Sequence, residues 1–542
     1  MRTVECDLLV IGGGLGGLAA AARARALGLS VTILEKSGYL GGVAAYSGGI
    51  VWAGNNHLAA REGIPDTEEE ARQYLDFLNG DDPNYDRELR EALYHGGIEA
   101  ISYYTDEIGI PFTVIGRPDQ YYPDASGSKP RGRSLEVAMP GRLLGNWRGR
   151  LRPSPIFKVG LTRKEINENG GKEAAYKKLA DLHRRRVEED FLTSGQGLAG
   201  GFLKAAIIDL GADVHFNVET RRLLVRDGRV HGAQATVEGQ DVAFHAARGV
   251  LLATGSYGYH KDVARMESLP ALKEQAPPII HGDGMRLAEA AGGAVTRAGI
   301  TFTTLGFALQ GETHPGSDVP LYVPIHASAG FPHAIIVNQQ GRRFGDESFY
   351  GYLIDSIQAF DGRTKRFPNY PPFFVVDDTY RRRYTLAELD TWPEAELTRA
   401  HTLGELATAL GIDPDGLRAE VERFNGFVEA GVDEDFRRGS SHFANHAYGD
   451  KTYRNPTLGK LETPPFWGVR LEIVGAGIYS MGLPIDRHAR VLDRDGVPVP
   501  GLYASGNTAA YTEILHGYEG GLANIRSITY AYLAATHAAS AN

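Results

Sequence analysis

Two glycine-rich turns and a scattered set of tyrosines hold the residue types from which chemistry is expected. Gly12, Gly14 and Gly17, in the run Gly12-Gly13-Gly14-Leu15-Gly16-Gly17, have GxGxxG spacing, with Glu35 downstream. Such a turn suits a dinucleotide. The first glycine permits a tight turn, the second lets the backbone approach a pyrophosphate, and the third lets a helix close on a strand. The helix start then presents unpaired N–H groups to the phosphates. A carboxylate at Glu35 accepts from ribose hydroxyls, and its charge disfavours a 2′-phosphate. Near the other end, Tyr518 precedes Gly520-Gly521 and Leu522. A phenol O–H and the backbone N–H groups at a helix start are hydrogen-bond donors. No His/Cys/Asp/Glu group has metal-ligand spacing, and there is no GxSxG elbow or phosphate-loop lysine, so no metal is expected.

These residues need elements to position them. Residues 4–11 and 30–35 read as strands flanking an alanine-rich helix that stops at Gly28; this is the start of a βαβ unit. Residues 66–110 read as helical, with caps at Asp66 and Asp86. Between 141 and 190, thirteen Lys/Arg stand against seven Asp/Glu. This basic insertion (141–195) reads as a solvated excursion, a lid or a subunit contact. Within it Lys172–Leu192 predicts one amphipathic helix bearing Leu179, Leu182, Val187 and Phe191 on a face. A helix at 198–210 and strands at 213–217, 220–226 and 229–237 lead to RGVLLATG (248–255). The stretch 297–460 has a different, aromatic-rich texture, and 466–542 returns to strand, turn and helix. The expected architecture is α/β: a discontinuous Rossmann-like domain (1–295 and 463–542) with an inserted α+β catalytic or capping domain (296–462).

Of 542 residues, 68 are glycine and 42% are hydrophobic, so the glycine excess sits in a folded chain, not in collagen or a disordered tract. A net charge of −10 argues against a nucleic-acid partner. Cys6 is the single cysteine, which excludes an internal disulfide and suits a reducing cytoplasm. Leu8–Ala22 is too short to cross a bilayer and lacks a basic flank, so no transmembrane segment is expected.

Glu35-Lys36 followed by Gly41-Gly42 and Tyr46-Ser47-Gly48-Gly49, together with RGVLLATG, GDG (282–284) and GLYASGN (501–507), resembles the fumarate reductase/succinate dehydrogenase flavoprotein superfamily. The resemblance spans nearly all of the chain outside the insertion. It implies FAD, held by Gly12, Gly14, Leu15, Gly16, Gly17, Glu35, Lys36, Gly41, Gly42, Ala45, Ser47, Gly48, Gly49, Val218, Ala253, Thr254, Gly255, Asp283, Gly506, Asn507, Gly521, Leu522 and Ile525. Covalent members carry a histidine before the second glycine pair; Ala45-Tyr46-Ser47 stands here, which implies non-covalent FAD.

Two arginines that handle substrate carboxylates in fumarate reductases are replaced. Tyr518 stands at one, and no arginine follows Arg343-Phe344-Gly345-Asp346-Glu347. Tyrosines there, with FNGFVEAGVDEDFRRG (424–439), PTLGKLETPPFWGVRL (456–471) and HGYEGG (516–521), resemble the 3-ketosteroid dehydrogenase branch. That implies desaturation of a cyclic ketone beside its carbonyl, with hydride passing to flavin N5. Tyr518 O–H and Leu522 N–H would bind the ketone oxygen. Tyr352 or Tyr350 would remove the α-proton, and Tyr121 or Tyr122 would be the partner tyrosine. A 3-ketosteroid and a smaller cyclohexanone both remain as substrate, with an unidentified electron acceptor. A C=C reductase using Arg526 or Arg131 as carboxylate clamp, and a non-catalytic flavin-binding protein, are the rival readings.

Overall fold

The computed structural model describes residues 2–541 apart from 81, 120, 158–159, 326–327, 387–388, 390, 443–444 and 446–448, and leaves aside the side chains of Lys172, Glu173 and Tyr350. The chain divides into two compact units. The first comprises Met1–His260, Ala276–Thr301 and Gly477–Asn542; the second comprises Lys261–Gln275 and Phe302–Ala476. The break points therefore fall later than the expected 295/296 and 462/463, and a short segment before residue 276 joins the second unit.

An eight-stranded sheet carries the first unit: β1 (Arg2–Ile11), β2 (Val31–Leu34), β3 (Asp213–His215), β4 (Glu219–Arg226), β5 (Arg229–Val237), β6 (Gln240–Leu252), β7 (Arg490–Leu492) and β8 (Pro498–Ala504). Its order is β7-β8-β6-β1-β2-β3, with β5 paired to β6 and β4 to β5. The central strands run parallel. Leu8, Leu9, Val10 and Ile11 are all buried, as a parallel strand with both faces covered requires. Each such side chain stabilises the fold by about 1.5–3 kcal/mol.

The helices that matter for the site are α1 (Leu15–Ala26), α2 (Glu68–Asn79), α3 (Arg87–Asp106), α4 (Ser194–Leu203), α5 (Asp283–Ala290) and α6 (Leu522–Ser540). Small residues let α1 approach its neighbours, α6 among them, where the Ser527 carbonyl would lie 3.5 Å from a Cβ on Gly16. A Cβ on Gly16 would lie 2.8 Å from Ser505 Oγ, and one on Gly17 would lie 2.0 Å from the Gly12 carbonyl oxygen. The cap of α2 is Thr67, which forms a capping box with Glu70. Asp66, expected there, instead pairs with Arg133 at 2.7 Å.

The basic insertion departs from its expected single helix. The structure has Lys172–Lys178 and Ala180–Glu188, interrupted at Leu179. Val187 is 47% exposed, so the apolar face is not a core face. Much of the positive charge is locally paired: Arg148 with Asp190, Lys164 with Glu62, Arg184 with Asp181 and Arg186 with Glu165.

The second unit is α+β. Lys273–Glu274, Glu472–Gly475, Thr303–Thr313 and Pro320–Pro324 form one sheet, in that order; Ala334–Val337, Phe373–Val376, Phe466–Arg470 and Thr398–Ala400 form another. Helices Leu403–Leu410 and Pro414–Ala430 pack on the second sheet's core. The Arg343-to-Glu347 motif is internal: Glu347 accepts from Arg343 at 2.6 and 2.8 Å, and Arg343 also meets Asp433 at 2.8 Å. Arg438 lies 3.3 Å from Glu347. Two guanidinium groups thus balance two buried carboxylates, the condition under which such charges are tolerated in a core.

Candidate active site

In the first unit the glycine turns close on one another. Gly12 holds φ +106°, and a Cβ there would lie 2.3 Å from the Ala253 carbonyl oxygen. Gly13 N–H donates to Glu35 Oε2 at 2.8 Å, while Ser37 N–H and Oγ–H donate to Oε1 at 2.8 and 2.6 Å. The carboxylate is thereby fixed with acceptor capacity left over. Gly14, the residue before α1, faces Gly42: its nearest neighbour beyond the adjoining chain would be the Gly42 Cα, 3.9 Å from an added Cβ. No side chain caps α1 and its first turn has no acid, so its amides meet an anion unopposed.

The remaining cofactor candidates divide by what they touch. Lys36 pairs with Asp283 at the start of α5, at 2.8 Å. Thr254 and Thr508 hydroxyls lie 3.4 Å apart, and Thr508 donates to the Gly255 carbonyl at 3.1 Å. Gly41 N–H donates to the Gly13 carbonyl at 2.8 Å, and Val218 N–H to the Glu35 carbonyl at 3.0 Å. Gly506 holds φ +65°, and Asn507 donates to the Gly477 carbonyl at 2.8 Å. Of these, Gly41 and Ala253 come nearest the Gly14 turn: Gly41 pairs with Gly14, and the Ala253 carbonyl would lie 4.0 Å from a Cβ on Gly14. Leu15 and Ala45 are buried beside them.

Four candidates have structural duties. Ser47 Oγ donates to the Ala44 carbonyl at 2.8 Å and accepts from Gly49 N–H at 3.0 Å, which shapes its own loop. A Cβ on Gly49 would strike Ser194 at 2.1 Å, so Gly49 is there for the contact with α4. Ile525 lies against Gly97 of α3, 3.4 Å from where a Cβ on Gly97 would sit. Gly521, at φ +107°, rests on Trp52 N and Ile50.

Tyr121 and Tyr518 come together, with ring centroids 6.1 Å apart. Tyr122 instead packs edge-on against Phe77 at 5.3 Å. Burial, with Tyr511 and Tyr121 nearby, holds the Tyr518 pKa well above its usual 10, so the phenol keeps its proton and is a donor at neutral pH. Leu522 N–H is not available as the second donor, since it donates to the Glu519 carbonyl at 3.1 Å. The Ala523 backbone, one residue further on, draws the Tyr518 pKa back in part against that burial. In the second unit, Tyr352 is 42% exposed and edge-on to Phe349 at 4.8 Å; the Tyr350 side chain lies outside the described residues.

Glu519, absent from the sequence-based set, ties the tyrosines down. Its fully buried carboxylate accepts from Tyr74 OH at 2.5 Å, Tyr121 N–H at 3.0 Å and Gly520 N–H at 2.8 Å. Behind it, Asp119 accepts from Trp52 Nε1 at 2.9 Å and pairs with Arg133 at 3.0 Å. Burial and the Asp119 charge push the Glu519 carboxyl from 4.5 up to about 7. A carboxyl raised on folding stabilises the fold fully below its unfolded pKa, and that contribution is lost as pH climbs through the folded value. The shift from 4.5 to about 7 corresponds to roughly 3 kcal/mol. Glu519→Gln is therefore expected to flatten the decline of Tm across that pH window. Parallel Tm–pH curves for variant and wild type would count against this.

A family model described as "FAD binding domain" matches residues 7–524. The chain belongs to this FAD-binding family. It is 32% identical to 4-oxocyclohexanecarboxylate 2-dehydrogenase of Sinomonas cyclohexanicum, over 97% of this chain and 92% of that protein. It is 31% identical to 3-oxosteroid 1-dehydrogenase of Mycobacterium tuberculosis, over 99% of each. The 3-ketosteroid Δ1-dehydrogenase from Sterolibacterium denitrificans, solved with 1,4-androstadiene-3,17-dione, superposes with a TM-score of 0.87 at 26% identity, covering 99% of this chain and 100% of that one.

As a member of the FAD-binding family the protein is a flavin-dependent oxidoreductase of the CH–CH dehydrogenase class, and its cofactor is non-covalent FAD. The residues present fit that group: a gap between two glycines, unopposed α1 amides, and Glu35. Arg152 is a further cation on the Glu35 side that motif spacing does not reveal. It is 3% exposed, donates to Ser37 Oγ at 2.7 Å, and its Nε has no partner among the described residues. Nothing in spacing flags Arg152, because it comes from the insertion. Glu519 had a faint signal, an acid inside the HGYEGG turn. Arg526, a clamp in the reductase reading, is instead consumed: fully buried, it pairs with Glu513 and donates to the Ala510 carbonyl at 2.7 Å. No group of three or more metal-ligating side chains occurs among the described residues, and no described helix is long and apolar enough to cross a membrane.

Proposed function

We propose that the protein desaturates a cyclic ketone beside its carbonyl. The observation that carries this is the Tyr518–Tyr121 pair: a protonated phenol on the turn into α6 lies 6.1 Å from the Tyr121 ring, and Glu519 holds the Tyr121 amide. Removing an α-proton puts negative charge on the ketone oxygen, and a fixed donor aimed at that oxygen is worth about 3–4 kcal/mol. Tyr518 O–H is that donor. Glu519 keeps the turn from relaxing. Tyr121 is the partner tyrosine. The α-proton is assigned to Tyr352 or Tyr350, the pair matched by sequence. FAD, when bound, supplies the acceptor for the hydride that leaves the β-carbon. The relatives named for 3-oxosteroids and for 4-oxocyclohexanecarboxylate support the ketone class.

The test is anaerobic mixing of the holoenzyme with cyclohexanone, 4-oxocyclohexanecarboxylate and a 3-oxosteroid. At least one should bleach the oxidised flavin and yield the conjugated enone. Should none do so, while the dithionite-reduced enzyme is reoxidised by enones or enoates, the reductase reading replaces this one.

A further inference from the structure

Arg163 belongs to the insertion, yet its guanidinium stands over the second glycine pair. A Cβ added to Gly48 would lie 3.0 Å from Arg163 Nη2. Gly48 is two residues from Ile50, and Ile50 supports the Tyr518 turn. Its carbonyl accepts from Asn524 Nδ2 at 2.7 Å, and its side chain would lie 3.1 Å from a Cβ on Gly521. Arg163 and Tyr518 thus flank one continuous stretch of backbone.

The guanidinium is held without a direct ion pair among the described residues. Phe157 lies beneath it at 5.3 Å. Glu136 accepts from the backbone N–H groups of Arg163 and Lys164, each at 2.8 Å, and the Arg163 charge acts on its buried carboxyl without a direct ion pair. Its neighbours Lys164 and Arg186 have carboxylate partners, whereas among the described residues Arg163 has none within salt-bridge distance. A steroid laid against it would bury an unpaired cation, which is costly. A carboxylate there would form a charge-assisted, bidentate pair.

We propose that Arg163 reads a carboxylate on the substrate, so that the preferred ketones are small oxo-substituted ring carboxylic acids and not steroids. This rests on the ketone-desaturating function proposed above. It places the cation that meets the substrate carboxylate in the insertion and not at the positions used by fumarate reductases, both of which lack arginine here.

The experiment compares 4-oxocyclohexanecarboxylate with its uncharged methyl ester, on wild-type, Arg163→Lys and Arg163→Gln holoenzymes of equal flavin content. Wild type should favour the acid in kcat/KM by ten- to a hundred-fold. Arg163→Gln should bring the ratio toward one, with Arg163→Lys between. Calorimetry with cyclohexanecarboxylate, which has no ketone, should show binding to wild type and a ten-fold or greater loss in Arg163→Gln. No acid preference in wild type overturns the proposal without any variant having to fold. An acid preference that survives Arg163→Gln overturns it as well, as does an equal loss for acid and ester. If neither compound bleaches the flavin and no other ketone does, it is the ketone-desaturating function that fails.

Discussion

Tyr518→Phe is expected to lower kcat for ketone desaturation by about a hundred- to a thousand-fold, the usual cost of removing one fixed donor from a developing oxyanion. The substitution deletes one oxygen and leaves the ring, which lies tilted against Tyr121 at 6.1 Å. The turn keeps its anchors, because Glu519 is held by Tyr74, Tyr121 N–H and Gly520 N–H and not by the Tyr518 hydroxyl. FAD content and Tm should therefore stay close to wild type, and the loss should appear as slower flavin reduction in stopped flow. KM should change less than kcat, since the donor matters most when the oxygen carries charge. A variant that reduces its flavin within about three-fold of the wild-type rate would remove Tyr518 from the chemistry.

Gly14→Val is expected to yield a folded, colourless protein. Gly14 has φ −74°, a conformation open to any residue. A Cβ there meets nothing closer than 3.9 Å, so the apo fold has room for it. That room is the gap toward Gly42, where the pyrophosphate needs bare backbone. Filling it should weaken FAD by at least about ten- to a hundred-fold, on the scale of overpacking at 1–3 kcal/mol. Gly17→Val is the contrast. Its Cβ would overlap the Gly12 carbonyl at 2.0 Å, so Tm of the apo protein should fall along with flavin content. Flavin-to-protein ratio and apo Tm, read together, separate the two outcomes. A Gly14→Val protein that purifies with full flavin would place the cofactor elsewhere.

Local order explains why so much could be read before any coordinates. The strand, glycine turn, helix and second strand at 4–35 lie within one stretch of chain, and each element's period is set by its own burial. Gly12, Gly17 and Gly41 have environments that only glycine satisfies, so the cofactor turn showed in residue type alone. Tyr518 was legible for a similar reason: it lies beside the glycine pair that begins α6.

Other features depended on chain segments that meet only in the fold. Tyr121 and not Tyr122 joins Tyr518 because Glu519, nearly four hundred residues away in sequence, captures the Tyr121 amide. Leu522 is not free as a second donor because, after a left-handed residue at Gly521, its amide turns back onto the Glu519 carbonyl. The insertion looked like solvated charge, yet it delivers Arg152 to the Glu35 side and Arg163 to Gly48. Composition and spacing along one chain establish which turns a dinucleotide can approach, since that demand is local to the backbone. Which side chains stand over those turns is a matter of long-range packing, and there a shift of one residue in register changes the atom that faces the substrate.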